Sequence, residues 1–259
     1  MRRENLLGLG STMLLAACAT SSTIQRSTVD GPAPSPSHVA VTPVAAPAPE
    51  REPLPAPPPP PSEDAKEDWA AFPVANDGAG APMANFVRKL IGLKTLRHVS
   101  GRVPDDCTGL VRLAYWQASV ELLGVEGERG DNGVMAIFRH AEALGAIHFR
   151  RPEAGDLVFF RETYDRNKDG KVDDGLTHVG VVMRTEADGT VVFAHRVGTG
   201  VEEGRLNPDE PAQHDTKGHV LNDWLRPASK HARASLTGEL FSGFASAEKL
   251  VRAAALGRR

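Results

Sequence analysis

In VPDDCTGLVRLAYW, residues 103–116, a cysteine follows two aspartates at the start of an apolar pattern with helical spacing. A thiol placed there can serve as a nucleophile, because the unpaired N–H groups and the dipole of a helix N-terminus stabilise a thiolate. Asp105 or Asp106 can act as the N-cap that fixes where the helix begins. Their carboxylates oppose ionisation of Cys107, so a histidine is needed to take the proton and remain as imidazolium. Two of the nine histidines sit where a rigid element would hold them. His178 opens the apolar run HVGVVMR, and His195 lies near the end of TVVFAHR. With a turn at Asp188-Gly189 the two runs pair antiparallel, which brings 178 and 195 to the same end of a hairpin. One imidazole could then be the base and the other its orienter. The plainer alternatives are a buried, inert cysteine and histidines that are only solvated.

The chain has one other cysteine, Cys18. The N-terminus MRRENLLGLGSTMLLAAC has a basic start, an apolar run of roughly ten residues and then small residues, the pattern of an export signal and too short for a span. LAAC, ending at Cys18, resembles the lipobox of bacterial lipoproteins, which implies a signal over 1–17 and a diacylglyceryl thioether on Cys18. The alternative is an ordinary signal peptide with an incidental cysteine. Several acyl chains on one residue anchor a protein durably. Once Cys18 is acylated, Cys107 has no disulfide partner and is an odd thiol in an exported protein.

A second cluster of chemistry-bearing residues is DRNKDGKVDD. Asp165, Asn167, Asp169, Lys171 and Asp173 fall at the odd positions of a calcium loop, with Gly170 at the sharp turn and Lys171 lending its carbonyl. Position 12, which should carry a bidentate carboxylate, is Leu176. Weak Ca2+ binding of a structural kind is therefore expected, against an acidic hairpin turning at Asp169-Gly170. The chemistry itself calls for no cofactor.

The elements that must position these groups follow from periodicity. Met83, Phe86, Val87, Leu90 and Ile91 mark one helix; Leu110, Leu113, Trp116, Val120 and Leu123 a second, ended by Gly124; and Val134, Ile137, Phe138, Ala141 and Leu144 a third, ended by Gly145. GDLVFF, HVGVVMR and TVVFAHR then read as strands. Helices first and antiparallel strands afterwards predict an α+β domain over 81–227 with room for one core. Residues 18–80 form a Pro-rich stalk, with thirteen of the 20 prolines between Pro32 and Pro61. Forty such residues at about 3.1 Å each reach on the order of 100 Å. Residues 228–259 are expected to be a helical tail, from Leu236, Leu240, Phe241 and Phe244. Net charge is −3 and Lys and Arg are scattered, which excludes nucleic acid as a partner.

DDCTGLVRLAYW, PEAGDLVFF, HVGVVM and VVFAHRVGTGV resemble, in the same order, the motifs of the NlpC/P60 cysteine peptidases, over residues 83 to about 227. The resemblance implies a papain-like α+β fold with N-terminal helices packed on a small antiparallel sheet. It implies hydrolysis of peptidoglycan stem peptides, with Cys107 as nucleophile, His178 as base and His195 as the third polar residue. An oxyanion donor would be the Cys107 backbone N–H. Two departures stand out. The aromatic-Gly stretch that usually precedes the D-C motif is replaced by LKTLRHVSGRVPDDC, where a surface His98 is expected, with a place like that of the family's tyrosine as the alternative, and an insertion precedes His178. The rival readings are a CHAP-type amidase and a catalytically silent, calcium-dependent wall-binding lipoprotein. The expected setting is the cell envelope, lipid-anchored to the outer membrane facing the periplasm, as a monomer.

Overall fold

The computed structural model describes residues 78–123 and 132–257. Cys18, the export signal and nearly all of the expected stalk lie outside the described residues. Among the described residues no helix is long and apolar enough to cross a membrane.

Three helices precede the sheet: α1 (Ala81–Leu90), α2 (Cys107–Trp116) and α3 (Gly133–Ala143). The N-cap of α2 is Asp106, whose carboxylate accepts from the Gly109 N–H at 3.0 Å and the Thr108 hydroxyl at 2.7 Å. Asp105 faces elsewhere. The loop before α2 lies so close across it that a β-carbon on Gly109 would fall 1.9 Å from the Pro104 carbonyl oxygen. Glycine at that position is thus a steric requirement of the chain's entry into the helix. The helix ends at Trp116 rather than running to Leu123, because Ser119 takes a left-handed conformation (φ 57°). Val120 and Leu122 still reach the core, from the turn that follows. In α3 the N-cap Asn132 accepts from the Met135 N–H and donates to the Leu176 carbonyl, which fastens that helix to the sheet.

Six antiparallel strands make the main sheet: β1 (Ile147–His148), β2 (Leu157–Arg161), β3 (Leu176–Thr185), β4 (Val191–Val197), β5 (Gly200–Leu206) and β10 (Phe241–Ala245). Their spatial order is β1-β10-β2-β3-β4-β5. The class is α+β, with helices packed on an antiparallel sheet. The short pairs β6 (Asp215–Thr216) with β7 (His219–Val220), and β8 (Trp224–Arg226) with β9 (Ser235–Leu236), lie outside it. A four-residue helix α4 (Thr237–Leu240) precedes β10, and α5 (Ala247–Leu256) follows it.

Alternation along the strands divides the core. Leu157, Phe159, Val179, Val181, Val192 and Ala194 pack with the helices, among them Cys107, Leu110 and Ile137. Val158, Phe160, Val182, Val191 and Phe193 pack on the opposite face with Leu206, Leu240 and Phe244. Gly180 sits between Val158 and Phe193, where a β-carbon would lie 2.8 Å from the Phe193 ring. The tail departs from expectation. Phe241–Ala245 is a strand, and it pairs with β2 and β1, so the sheet runs past the expected boundary at 227. Phe241 and Phe244, read earlier as a helical face, are carried on a strand whose register is interrupted between Phe241 and Gly243, which disguises the period of two.

Candidate functional site

A cleft of about 500 Å³ is lined by Asp105, Asp106, Cys107, Thr108, Tyr164, Thr177, His178 and Arg196, among others. Its wall includes Val134, which packs in the helical cluster, and Leu225, which packs against the other, so it opens where the two faces of the sheet meet. The starts of α2, α3 and β3, the end of β4 and the insertion before β3 converge there.

Cys107 is the first residue of α2 and is buried. Burial pushes its thiol up to about 12, and the Asp106 carboxylate pushes the same way. The backbone N–H of Val179 in β3 acts against these, as do those of Thr108 and Cys107 at the helix N-terminus. Among the described residues no hydrogen bond joins the sulfur to an imidazole. The rings of His178 and His195 are joined to each other instead, with Nε2 of His178 3.0 Å from Nδ1 of His195. Both are 7% exposed. Burial lowers the basicity of both, and for His178 the neighbouring His195 lowers it further. The pair packs against Phe160 and Phe193, with ring centroids 6.1 Å from Phe160 to His178 and 5.0 Å from Phe193 to His195. The resting site is thus a neutral thiol beside two neutral imidazoles. If Nδ1 of His178 is to receive a proton, its Nε2 must already carry one and donate it to His195.

Asp105 has a different task from that of a cap. Its Oδ1 accepts from the Leu96 N–H at 2.9 Å and from Arg196 Nε at 3.1 Å, and its Oδ2 from the Thr95 hydroxyl at 2.8 Å. These bonds hold its carboxyl down at about 2, the Leu96 N–H most strongly, then the Thr95 hydroxyl and Arg196. Arg196 follows His195 in β4, so one carboxylate ties the approach to Cys107 to the strand bearing the second imidazole.

Tyr164 is 53% exposed and lines the cleft from the insertion before β3, close enough for Cys107 and Asp106 to act on its hydroxyl electrostatically. Thr163 anchors it on one side, its N–H and hydroxyl both bonded to Oγ1 of Thr177, the neighbour of His178. The sequence reading sought a tyrosine only upstream of Cys107 and missed this one. His98, considered for that place, is exposed on a 3-10 turn (Leu96–His98) and does not line the cleft.

The calcium-like loop folds around its own side chains. Asp165 Oδ2 accepts from the Gly170 N–H, Asn167 Oδ1 from the Asp169 N–H, and Asp169 Oδ1 from the Lys171 N–H. Gly170 takes φ +88°, the sharp turn read from the sequence. Asp174, rather than Asp173, closes the loop by accepting from the Arg166 N–H at 2.7 Å. Asp165 Oδ1 is buried without a partner. A buried carboxylate oxygen with no partner is a group that a cation could hold. Asp165, Asp169 and Asp173 do not converge in the way that Glu186, Asp188 and His219 do, whose ligand atoms lie within 4.8 Å of one another. Glu186 in that second group is bonded to Arg205 and Arg184.

No protein-family model matches the chain, and no curated protein matches it. Among solved structures it is similar to NlpC2 from Trichomonas vaginalis, at 22% identity over 52% of this chain, with a TM-score of 0.27. The chain spans 43% of the length of that protein.

Proposed function

We propose that the protein is a thiol hydrolase of the NlpC/P60 kind that cuts amide bonds in peptidoglycan stem peptides. The observation that carries this reading is that Cys107, at the N-terminus of a capped helix, and His178, whose ring is bonded to His195, line one cleft. His178, through Nδ1, takes the proton from Cys107 as the sulfur attacks the peptide carbonyl. The charges formed on sulfur and ring offset each other, which supplies the stabilisation that neither has alone. The backbone N–H of Cys107 faces the developing oxyanion. The imidazolium then protonates the leaving amine, and water, deprotonated by the same ring, cleaves the thioester and restores the thiol.

The setting belongs to the same proposal. Acylation of Cys18 would hold the protein on the outer membrane, facing the periplasm, with the Pro-rich segment as a spacer toward the wall. Calcium in the Asp165 loop would hold Tyr164, the preceding residue, against the cleft; the unpartnered Asp165 oxygen supports this.

A second reading, a catalytically silent wall-binding lipoprotein, is favoured by one observation: burial raises the thiol and lowers both imidazoles, so no ion pair exists at rest. Digestion of purified sacculi by the wild type and by Cys107→Ala, with masses of the released fragments, separates the two. Fragments cut within the stem peptide by the wild type alone support the hydrolase. Cuts between sugar and peptide identify a CHAP-type amidase, and no release at all leaves the silent reading.

A further inference from the structure

The segment from Gly78 to Pro104 contains five of the chain's 30 Lys and Arg residues and none of its 33 Asp and Glu. Arg88, Lys89, Lys94, Arg97 and Arg102 are all exposed. Among the described residues none is in an ion pair, and Arg88 bonds only the Asn85 side chain. The first two sit on the last turn of α1, where the helix dipole favours a cation. That reason does not extend to Lys94, Arg97 and Arg102, which lie in the turns that follow. In a chain of net charge −3, these unpaired cations form a local electropositive surface that composition averages away.

The surface borders the cleft. Thr95 and Leu96 bond to Asp105, and the Lys94 carbonyl accepts from Arg196 at 3.2 Å; Asp105 and Arg196 both line the cleft wall. The same segment is stitched to the end of β5 by Gly92 and Leu93 bonding Val201. The acidic residue that follows the segment, Asp105, is engaged by Arg196. A chain leaving the cleft on this side passes over cations with no ion-pair partner among the described residues.

We infer that Lys94, Arg97 and Arg102, with Arg88 and Lys89 beside them, form a docking rim for an acidic peptide strand, one that carries several free carboxylates along its length. The occupant is a peptide rather than a membrane because the segment is bonded to the cleft wall through Asp105 and Arg196, and its exposed large apolar side chains are only Ile91 and Val99. The hydrolase reading supplies only the identity of the chain lying in the cleft.

The test measures binding without turnover. Full-length Cys107→Ala protein is titrated with poly-L-glutamate and, separately, with phosphatidylglycerol vesicles, across a range of salt. The rim predicts binding to poly-L-glutamate that weakens steeply with salt and falls at least about tenfold in the Lys94→Glu, Arg97→Glu, Arg102→Glu triple variant. A control triple elsewhere, Arg150→Glu, Lys217→Glu, Lys230→Glu, has the same net charge and keeps the affinity. The Gln triple at 94, 97 and 102 gives the same reading should charge reversal harm folding. Equal loss in rim and control variants, binding to vesicles alone, or no binding each overturns the inference. Absence of sacculus cleavage by the wild type would remove the hydrolase reading and leave this result standing.

Discussion

His178 Nε2 and His195 Nδ1 lie 3.0 Å apart on adjacent strands, buried against Phe160 and Phe193. The ring that could serve Cys107 is therefore oriented by another ring rather than by a carboxylate. A carboxylate would raise the basicity of its partner, whereas an imidazole orients without adding charge. Burial pushes the thiol and both rings toward their neutral forms.

The first expectation concerns that neutrality. Burial disfavours the charged form of both imidazoles, so the fold is stabilised by their neutral state. This contribution is complete above the unfolded value near 6.5 and is lost as pH falls toward the depressed folded values. Neither ring should protonate at pH 6, as read by imidazole nitrogen shifts in NMR. His195→Asn should move the His178 titration only part of the way up, because burial is its leading cause. A return to the ordinary value would show that ring–ring repulsion dominates.

The thiol gives a second. In wild type without substrate, alkylation of Cys107 should show a midpoint well above the ordinary value near 8.5. Asp106→Asn removes a negative neighbour while keeping an efficient cap, so the midpoint should fall and the rate at pH 8 should rise. A wild-type midpoint at or below 8.5 contradicts the burial argument.

Asp105 offers a third, read in stability. Its folded carboxyl is held near 2, so ionised Asp105 stabilises the fold above the unfolded value near 3.9, and that contribution disappears as pH falls through about 2. Urea denaturation of wild type and Asp105→Asn should differ by a constant amount from pH 5 to 7 and converge below pH 4. A difference that persists at pH 2 assigns the loss to shape, not charge.

Tyr164 is more than half exposed, so Tyr164→Ala should change stability by no more than about 0.5 kcal/mol. If Tyr164 contacts substrate, the same change should lower the release of wall fragments by at least about tenfold. Equal release by both proteins would leave the residue a bystander at the rim.

Calcium is tested by melting. Millimolar Ca2+ should raise the melting temperature, by mass action on the folded state, and Asp165→Asn should abolish the increase. An unchanged temperature in wild type removes the ion from the proposal.

How far these features could be read beforehand depended on their range. Alternation in HVGVVMR and TVVFAHR, with Asp188-Gly189 between them, was enough to place His178 and His195 side by side, since a hairpin is a local structure. The capped start of α2 was equally local, although the choice between Asp105 and Asp106 was not. That choice depends on Leu96 and Thr95, in the turn before α2, and on Arg196, 91 residues away, which together claim Asp105. Tyr164 was missed for the same reason: its nearness to Cys107 arises from the Thr163–Thr177 contact across the insertion. The strand at Phe241–Ala245 was taken for helix because an irregular register gave Phe241 and Phe244 a spacing of three.

That last strand has a consequence for biogenesis. It is made after every other strand of the main sheet, yet it occupies an interior position, between β1 and β2. Until it is made, the ribbon of β2 to β5 waits with one side unfilled. Closure of the sheet is thus deferred until residue 245 has been made, and a product cut short before it would expose that open side to whatever strand it meets first.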